Sequence, residues 1–407
     1  MRGGSAAVVR IVSCNDVYEL ANLPRLKTLL RLMAAEGCAA DAVVLAGDFV
    51  SPSTLSSIDS GAAMVDTLLR TGVTHVCFGN HEADLKLPTV VQRVNEFVDG
   101  GGVWLNSNMP DFPSTRTSPH ATILSPYGRA RVALLGVIGD EDEMFRDGTF
   151  KGCAIEGVLS AVHAAAQTLA ERGDVDAIVP VTHQSVDRDV ALVAGYRGAI
   201  PLPLIVGGHE HEPMIVERAG GTDAAIVKTG SDAVRAAVAT MTFEARAEED
   251  GAPLALASVD VEFRDVLELA PELTLQSRVE RHMLLVESLA SSVFVDVGRP
   301  LESISPRRQQ TSIGALVASS IRDETGADVA VINGATIKGE SKYADGRLTL
   351  ADLKAELPFP TKIITVDLPG YVLQAALEYS RTMPPGADER RSYLQCDSGV
   401  EIDEGDR

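Results

Sequence analysis

An α/β fold with a second, smaller α/β domain behind it is predicted from three observations. Short runs rich in Val, Ile and Leu alternate with helix-period stretches through the first half of the chain. Between Arg235 and Glu268 that alternation gives way to extended segments, then resumes after one long helical pattern. At 407 residues the chain is also longer than one ordinary domain. Its 45% hydrophobic and 23% charged residues are the balance of a globular protein with a substantial core.

Along the chain, "AAVVRIV" reads as a strand, followed by the amphipathic "LPRLKTLLRLMAAEG", in which Leu26, Leu29, Leu30 and Met33 share one face. "DAVVLAGD" then precedes the helical "SGAAMVDTLLRTG", and "VTHVCFGN" precedes a helix from Pro88 to Val98. "DAIVPVTH" precedes "VDRDVALVAG". Nearly continuous apolar strands in βαβα order predict a sheet covered by helices on both faces. "ATILSPYGRARVALLGVIG" predicts a hairpin turning at Tyr127-Gly128. "AAVATMTFEARA" and "LASVDVEFRDV", around the polar turn "EEDGAP", predict a closing antiparallel pair.

Pro271 signals the start of a helix over "PELTLQSRVERHMLLVESLA", with an apolar stripe of Val279, Met283, Leu284 and Leu289. These signals divide the chain into a first domain at 1–268, an interdomain helix at 269–292 and a second domain at 293–407. In the second domain "TSIGALVASSIRDETG" reads as helix, "ADVAVING" as strand, and "TKIITVDLPGYVLQAALEY" as strand then helix. The end, "EIDEGDR", reads as a solvated acidic tail.

A formal net charge of −21 argues against nucleic acid or an anionic membrane as the main partner. It does not argue against an anionic substrate, because a bound metal inverts the local field. No apolar run approaches the ~20 residues of a membrane helix. Five cysteines without CxxC spacing suggest free thiols, and "MRGGSAAVVR" lacks the apolar core of a signal peptide. Both lead to the expectation of a cytoplasmic protein, or an exported one if a leader has been removed. Oligomeric state is not legible.

The chemistry sits at the strand ends. The first run ends at Asp16, "VVLAG" at Asp48, "HVCFG" at Asn80-His81, "AIVPVT" at His183, and "PLIVGG" at His209-Glu210-His211. Open α/β sheets build their binding crevice at the carboxyl ends of strands. A lone Gly-Asp after a strand is most often only a turn. Two imidazoles at i and i+2 of "GGHEH", however, are poorly explained by packing, and four of the eight histidines lie at these ends. Carboxylate, imidazole and an Asn carbonyl suit Zn, Mn, Co or Fe. A bridging carboxylate such as Asp48 can hold two ions ~3.5–4 Å apart, as in centres that clamp the oxygens of an in-line displacement. The reaction implied is phosphate-ester hydrolysis by a metal-held water or hydroxide.

On "NDVY", "AGD", "GNHEAD", "VTHQ" and "GGHEH" the chain resembles the calcineurin-like metallophosphoesterases, and more specifically the 5′-nucleotidase and UDP-sugar hydrolase family. The resemblance implies a four-layer sandwich, two sheets flanked by helices, joined to a smaller substrate-binding domain. It implies two divalent ions, the first held by Asp16, Asp48 and His211 and the second by Asp48, Asn80, His183 and His209. His81 would contact the phosphoryl group, and Asp84 would orient or charge-stabilise His81; the plain alternative for Asp84 is a surface carboxylate.

In the second domain Arg307, Asn333 and Lys338 stand where the family binds its nucleotide, and Phe359 of "LPF" where it stacks on the base. A core Phe is the plain alternative for Phe359. Lys338 replaces a more usual Arg, and Ser303 falls where some members carry another. The family continues past "SYLQCDSGVEIDEGDR", which suggests a shortened end.

Tyr18 departs from the family's Asp-x-His. A neutral phenol, with its ordinary pKa near ~10, is a poor ligand. Tyr18 therefore implies either a weakened first-metal position or, less favoured, a phenolate bound to iron. The leading expectation is a nucleotide phosphohydrolase. The alternatives are a phosphoesterase for cyclic nucleotides or another small metabolite, and a weakly catalytic binding or regulatory protein on the same fold.

Overall fold

The computed structural model describes residues 7–125, 130–141, 144–145, 150, 152–173, 175–244, 254–358, 361–382 and 393–401. The chain divides into two compact units, Met1–Met283 and Leu284–Arg407.

In the first unit the strands are β1 (Ala7–Cys14), β2 (Ala42–Leu45), β3 (His75–Cys77), β4 (Val103–Leu105), β5 (Ala121–Leu124) and β6 (Arg131–Ile138). They continue with β7 (Ala177–His183), β8 (Leu204–Gly208), β9 (Pro213–Val216), β10 (Ala225–Thr229), β11 (Arg235–Glu244) and β12 (Ala255–Asp265). The helices are α1 (Leu23–Ala35), α2 (Ser56–Asp59), α3 (Ala62–Thr71), α4 (Leu87–Asp99), α5 (Val158–Arg172) and α6 (Val186–Gly195), and α7 (Leu273–Ser291) begins here.

Two six-stranded sheets result, one in the order β12-β11-β1-β2-β3-β4, the other β5-β6-β7-β8-β10-β9. β1 to β4 are parallel, with Ile11 opposite Ala42 and Val44 opposite His75. β6, β7, β8 and β10 are likewise parallel, with Val181 opposite Val206. Parallel neighbours end on the same edge, so the residues after β1, β2 and β3, and those after β7 and β8, are delivered side by side.

The alternating side chains of these strands explain the layering. Val9, Ile11, Val44 and Cys77 from one sheet pack with Val132, Leu134, Val179, Val206 and Val227 from the other in a shared core. The intervening residues of the second sheet, Ala133, Leu135, Ile178, Ile205 and Ile226, face α5 and α6. On the first sheet the intervening Val12, Val43, Leu45 and Val76 are buried too, on the side of α1, α3 and α4. The result is a helix–sheet–sheet–helix sandwich. Covering both faces is why the strands read as nearly unbroken apolar runs.

The predicted closing pair is β11 with β12, antiparallel and added at the β1 edge. The predicted hairpin is β5 with β6. Tyr127-Gly128, the whole of "EEDGAP" and most of the acidic tail lie outside the described residues. The predicted stripe on α7 is corrected in part: among its described side chains Leu275, Val279 and Val286 are buried, whereas Leu284 is 59% and Leu289 36% exposed. Apolar spacing alone did not fix which face was covered. No described helix is long and apolar enough to cross a membrane.

The second unit carries β13 (Val293–Asp296), β14 (Leu301–Glu302), β15 (Val331–Asn333), β16 (Lys342–Tyr343), β17 (Arg347–Thr349) and β18 (Leu394–Cys396). Its helices are α8 (Ser312–Thr325), α9 (Leu350–Glu356) and α10 (Gly370–Arg381). The strands pair as β13-β17, β14-β16 and β15-β18. Leu301, Ile313, Ile337 and Leu348 form a small core. Thr311 caps α8, its hydroxyl accepting from Gly314 N at 3.0 Å.

One strand is corrected. "TKIITVDLP" forms no strand, and Ile363, Ile364 and Val366 are 56%, 70% and 59% exposed. A β-branched run supplies propensity but not a partner, and no described strand pairs with it.

Candidate metal centre

Asp16, Asp48 and His183 offer ligand atoms that all lie within 4.8 Å of one another. They come from both sheets: Asp16 follows β1, Asp48 follows β2 and His183 ends β7. Asn80 opens a 3-10 turn, Asn80–Asp84, after β3, and its Oδ1 lies 3.1 Å from His183 Nε2 and 3.3 Å from His209 Nδ1. His211 Nε2 stands 3.3 Å from Asp16 Oδ1, with the His211 side chain 56% exposed. The six candidate ligands named from sequence therefore converge on one edge of the sandwich.

Their backbone is unusual. Asp16 and Asp48 have φ of 54°, and His209 has φ of 82°. Left-handed backbone at non-glycine residues costs roughly 1 kcal/mol or more and tends to persist at functional sites. The glycines beside them provide clearance. A Cβ on Gly79 would overlap the Asp48 carboxylate, and one on Gly208 would overlap the Ala46 carbonyl.

Asp16 and Asp48 are 0% and 1% exposed, yet no Lys or Arg pairs with either among the described residues. Their partners are His, Tyr, Asn and backbone N–H groups. Two buried carboxylates without a fixed cation are costly unless a cation is bound. Burial pushes the Asp48 carboxyl up, but His183 and His81 outweigh it and hold it below the ordinary range. For His183 burial acts downward, while Asp48 and Asp16 outweigh it and push the imidazole up to about 10. The donor set of carboxylate, amide oxygen and imidazole fits divalent Zn, Mn, Co or Fe.

Tyr18 lies among the residues expected to hold a first metal. Its hydroxyl is 3.0 Å from Asp16 Oδ1, 3.3 Å from Asp48 Oδ2 and 3.1 Å from His211 Nε2. Burial first, then Asp48 and Asp16, push the phenol far above its ordinary value. One phenolic proton serves two carboxylates.

His81 is held differently. Its N–H donates to Asp48 Oδ1 at 2.8 Å, and its ring Nδ1 is 2.8 Å from Asp84 Oδ2. Nε2 lies 4.0 Å from Asp48 Oδ2, on the side of the cluster.

Several supports escaped the sequence reading. Glu82, fully buried, accepts from the N–H groups of Asp48 (3.0 Å), Phe49 (2.8 Å), Val50 (3.1 Å) and Gly79 (2.6 Å), so it shapes the Gly-Asp turn. Asn15 donates to Asp16 Oδ2 at 2.8 Å and accepts from Thr229 N at 2.6 Å. Asp232 accepts from Tyr18 N at 2.8 Å. Lys228 is 0% exposed beneath the two histidine loops. The legible signal was a lone charge in the apolar run "AIVKTG" and an acid directly after "GNH".

In the second unit Arg307, Asn333 and Lys338 are exposed. Asn333 Oδ1 accepts from Ala335 N at 2.8 Å, and Gly334 packs tightly on the Pro306 carbonyl, bringing the Arg307 and Asn333 segments together. Ser303 is instead buried, donating to Glu356 Oε1 at 2.8 Å. Phe359 lies outside the described residues.

A double-sheet sandwich presenting Asp, Asn and His from five strand ends defines a metallohydrolase scaffold. The family profile "Calcineurin-like phosphoesterase" matches residues 9–213, and that of the "5'-nucleotidase, C-terminal domain" matches 292–403. A curated "5'-nucleotidase-related protein" from Glossina morsitans morsitans is 24% identical over 361 residues, covering 80% of this chain; the match spans 61% of that relative's length.

The crystal structure of a 5'-nucleotidase precursor from Thermus thermophilus superposes with a TM-score of 0.64 at 19% identity, covering 96% of this chain and 81% of the other. The Haemophilus influenzae NAD nucleotidase gives a TM-score of 0.65 at 13% identity, covering 88% and 75%. At such identities the structural likeness speaks for the fold. The chain belongs to the calcineurin-like phosphoesterases, metal-dependent hydrolases of phosphate esters, and carries in addition a 5′-nucleotidase-type C-terminal domain.

Proposed function

We propose that this chain hydrolyses phosphate esters of nucleotides at a centre for two divalent ions. One ion position is formed by Asp16, Asp48 and His211, the other by Asp48, Asn80, His183 and His209. The observation that carries this reading is the convergence of Asp16, Asp48 and His183 within 4.8 Å, buried and without a Lys or Arg partner among the described residues. Bound there, such ions would supply positive charge for the phosphoryl oxygens and a nucleophilic water.

The chain's own residues do the rest. Asp84 accepts from His81 Nδ1 and so orients the ring; in its doubly protonated form the ring would also donate through Nε2 to a phosphoryl oxygen as charge builds on it. The nucleotide preference rests on the C-terminal match at 292–403. Arg307 and Lys338 would contact anionic groups of the substrate, Asn333 its polar edge, and Phe359 the base.

The direct test strips the purified chain with chelator, restores Mn, Co, Zn or Fe, and assays AMP, UDP-glucose, cyclic nucleotides and a chromogenic phosphoester. Hydrolysis that disappears on stripping and returns with one of these ions, with a nucleotide preferred, is expected. Silence with every ion would refute the enzymatic reading, and equal turnover of all the esters would refute the nucleotide preference.

Tyr18 tunes the first position. Its neutral hydroxyl contacts Asp16, Asp48 and His211 where an imidazole lone pair would serve a cation better. Tyr18→His is expected to bind the first ion more tightly in a calorimetric titration. Unchanged affinity together with a phenolate-to-iron absorption band, lost in Tyr18→Phe, would show that the phenol is itself a ligand.

A further inference from the structure

Beneath the two histidine-bearing loops lies a charged cluster that the proposed chemistry does not use. Lys228, on β10, is 0% exposed, and its ammonium meets four oxygens. It donates to the carbonyl of Gln184 at 2.6 Å, to the carbonyl of Gly208 at 2.7 Å and to the Glu210 carboxylate, and Asp189 Oδ2 is 3.0 Å away. Gln184 is the residue after His183. Gly208 precedes His209, and Glu210 follows it. The acids are braced in turn: Glu210 Oε1 accepts from Val186 N at 2.6 Å, and Asp189 Oδ1 accepts from Gln184 Nε2 at 2.8 Å. A Cβ at Gly207 would press on Lys228 Cε at 2.8 Å, so glycine there leaves room for the ammonium stem.

The peptide unit between Gly208 and His209 is thereby held at both ends. Its carbonyl accepts from Lys228, and its N–H donates to Asp16 Oδ2 at 2.8 Å. That unit leads into His209, whose φ of 82° is a conformation an unrestrained histidine rarely adopts. We infer that Lys228 is a positioning residue for the second ion position, a three-way clamp that fixes the loop carrying His183 against the loop carrying His209. This rests on the metal reading above and adds which residue sets the spacing of its two imidazoles. Lys228 touches neither ion nor substrate, and it acts only through the backbone of its neighbours. Partners that orient metal ligands in this way are typically worth about ten- to a hundredfold in metal affinity.

The test uses the full chain, stripped and titrated with cobalt(II), following visible absorption and heat. Wild type should bind cobalt with bands that report the ligand geometry. Lys228→Met should bind it about ten- to a hundredfold more weakly with altered bands. Because Lys228→Met leaves two acids without their cation, a second variant, Lys228→Gln with Asp189→Asn, keeps the net charge of the cluster while removing the clamp. Weakened binding and altered bands in this folded double variant support positioning, since a purely electrostatic role would leave it unaffected. Wild-type affinity and bands there would overturn the inference while leaving the metal reading intact. No cobalt binding by wild type would overturn both.

Discussion

Asp48→Asn is expected to lower kcat/KM for the preferred ester by more than about a hundredfold, because even the outer partners of metal ligands are worth about ten- to a hundredfold. The substitution keeps the shape of the side chain and removes its charge. That carboxylate lies 3.2 Å from His183 Nε2 through Oδ2 and accepts from His81 N at 2.8 Å through Oδ1. It is the one acid shared by both proposed ion positions, so its loss should reduce metal content at both. The amide would also oppose one N–H donor with another if its nitrogen took the Oδ1 place. Fold should survive, because the turn's own N–H groups are bound by Glu82. Wild-type metal content and turnover in a folded Asp48→Asn protein would remove Asp48 from the centre.

His81→Ala should cost about a hundred- to a thousandfold in kcat, the scale of losing one donor to developing charge. Metal content should be kept, because His81 is not among the proposed ligands. Asp84→Asn should produce a smaller loss, also in kcat rather than KM, since Asp84 is proposed to act through the His81 ring, whose Nδ1 lies 2.8 Å from its Oδ2. If His81→Ala instead released the ions and left turnover per bound metal unchanged, His81 would be a ligand and not a donor to the phosphoryl group.

The parts of the fold that were legible in the sequence are those where local pattern and burial agree. The apolar runs ending in Asp16, Asp48, Asn80 and His183 became β1, β2, β3 and β7 because both faces of each sheet are covered, which leaves the period-2 signal nearly saturated with Val, Ile and Leu. The strand-end position of the polar residues then exposed the site. What stayed hidden depends on partners far away in the chain. Glu82 reads as one more acid until its carboxylate is seen under the Asp48 turn. Lys228 reads as a polar interruption until Gln184 and Gly208 are brought over it.

The run at Ile363 to Val366 had strand composition but no neighbouring strand to complete it. Tyr18 was visible as a departure from Asp-x-His, but not that its oxygen would stand within 3.3 Å of Asp16, Asp48 and His211 alike.

The most direct test of the central claim is a crystal structure of the chain soaked in manganese or zinc, with anomalous scattering collected at the metal edge. Two peaks are predicted. The stronger should lie among Asp48, Asn80, His183 and His209, and the weaker should be bounded by Asp16, Asp48 and His211 beside Tyr18. An active, fully soaked crystal with no anomalous peak touching Asp48 or His183 would contradict the account.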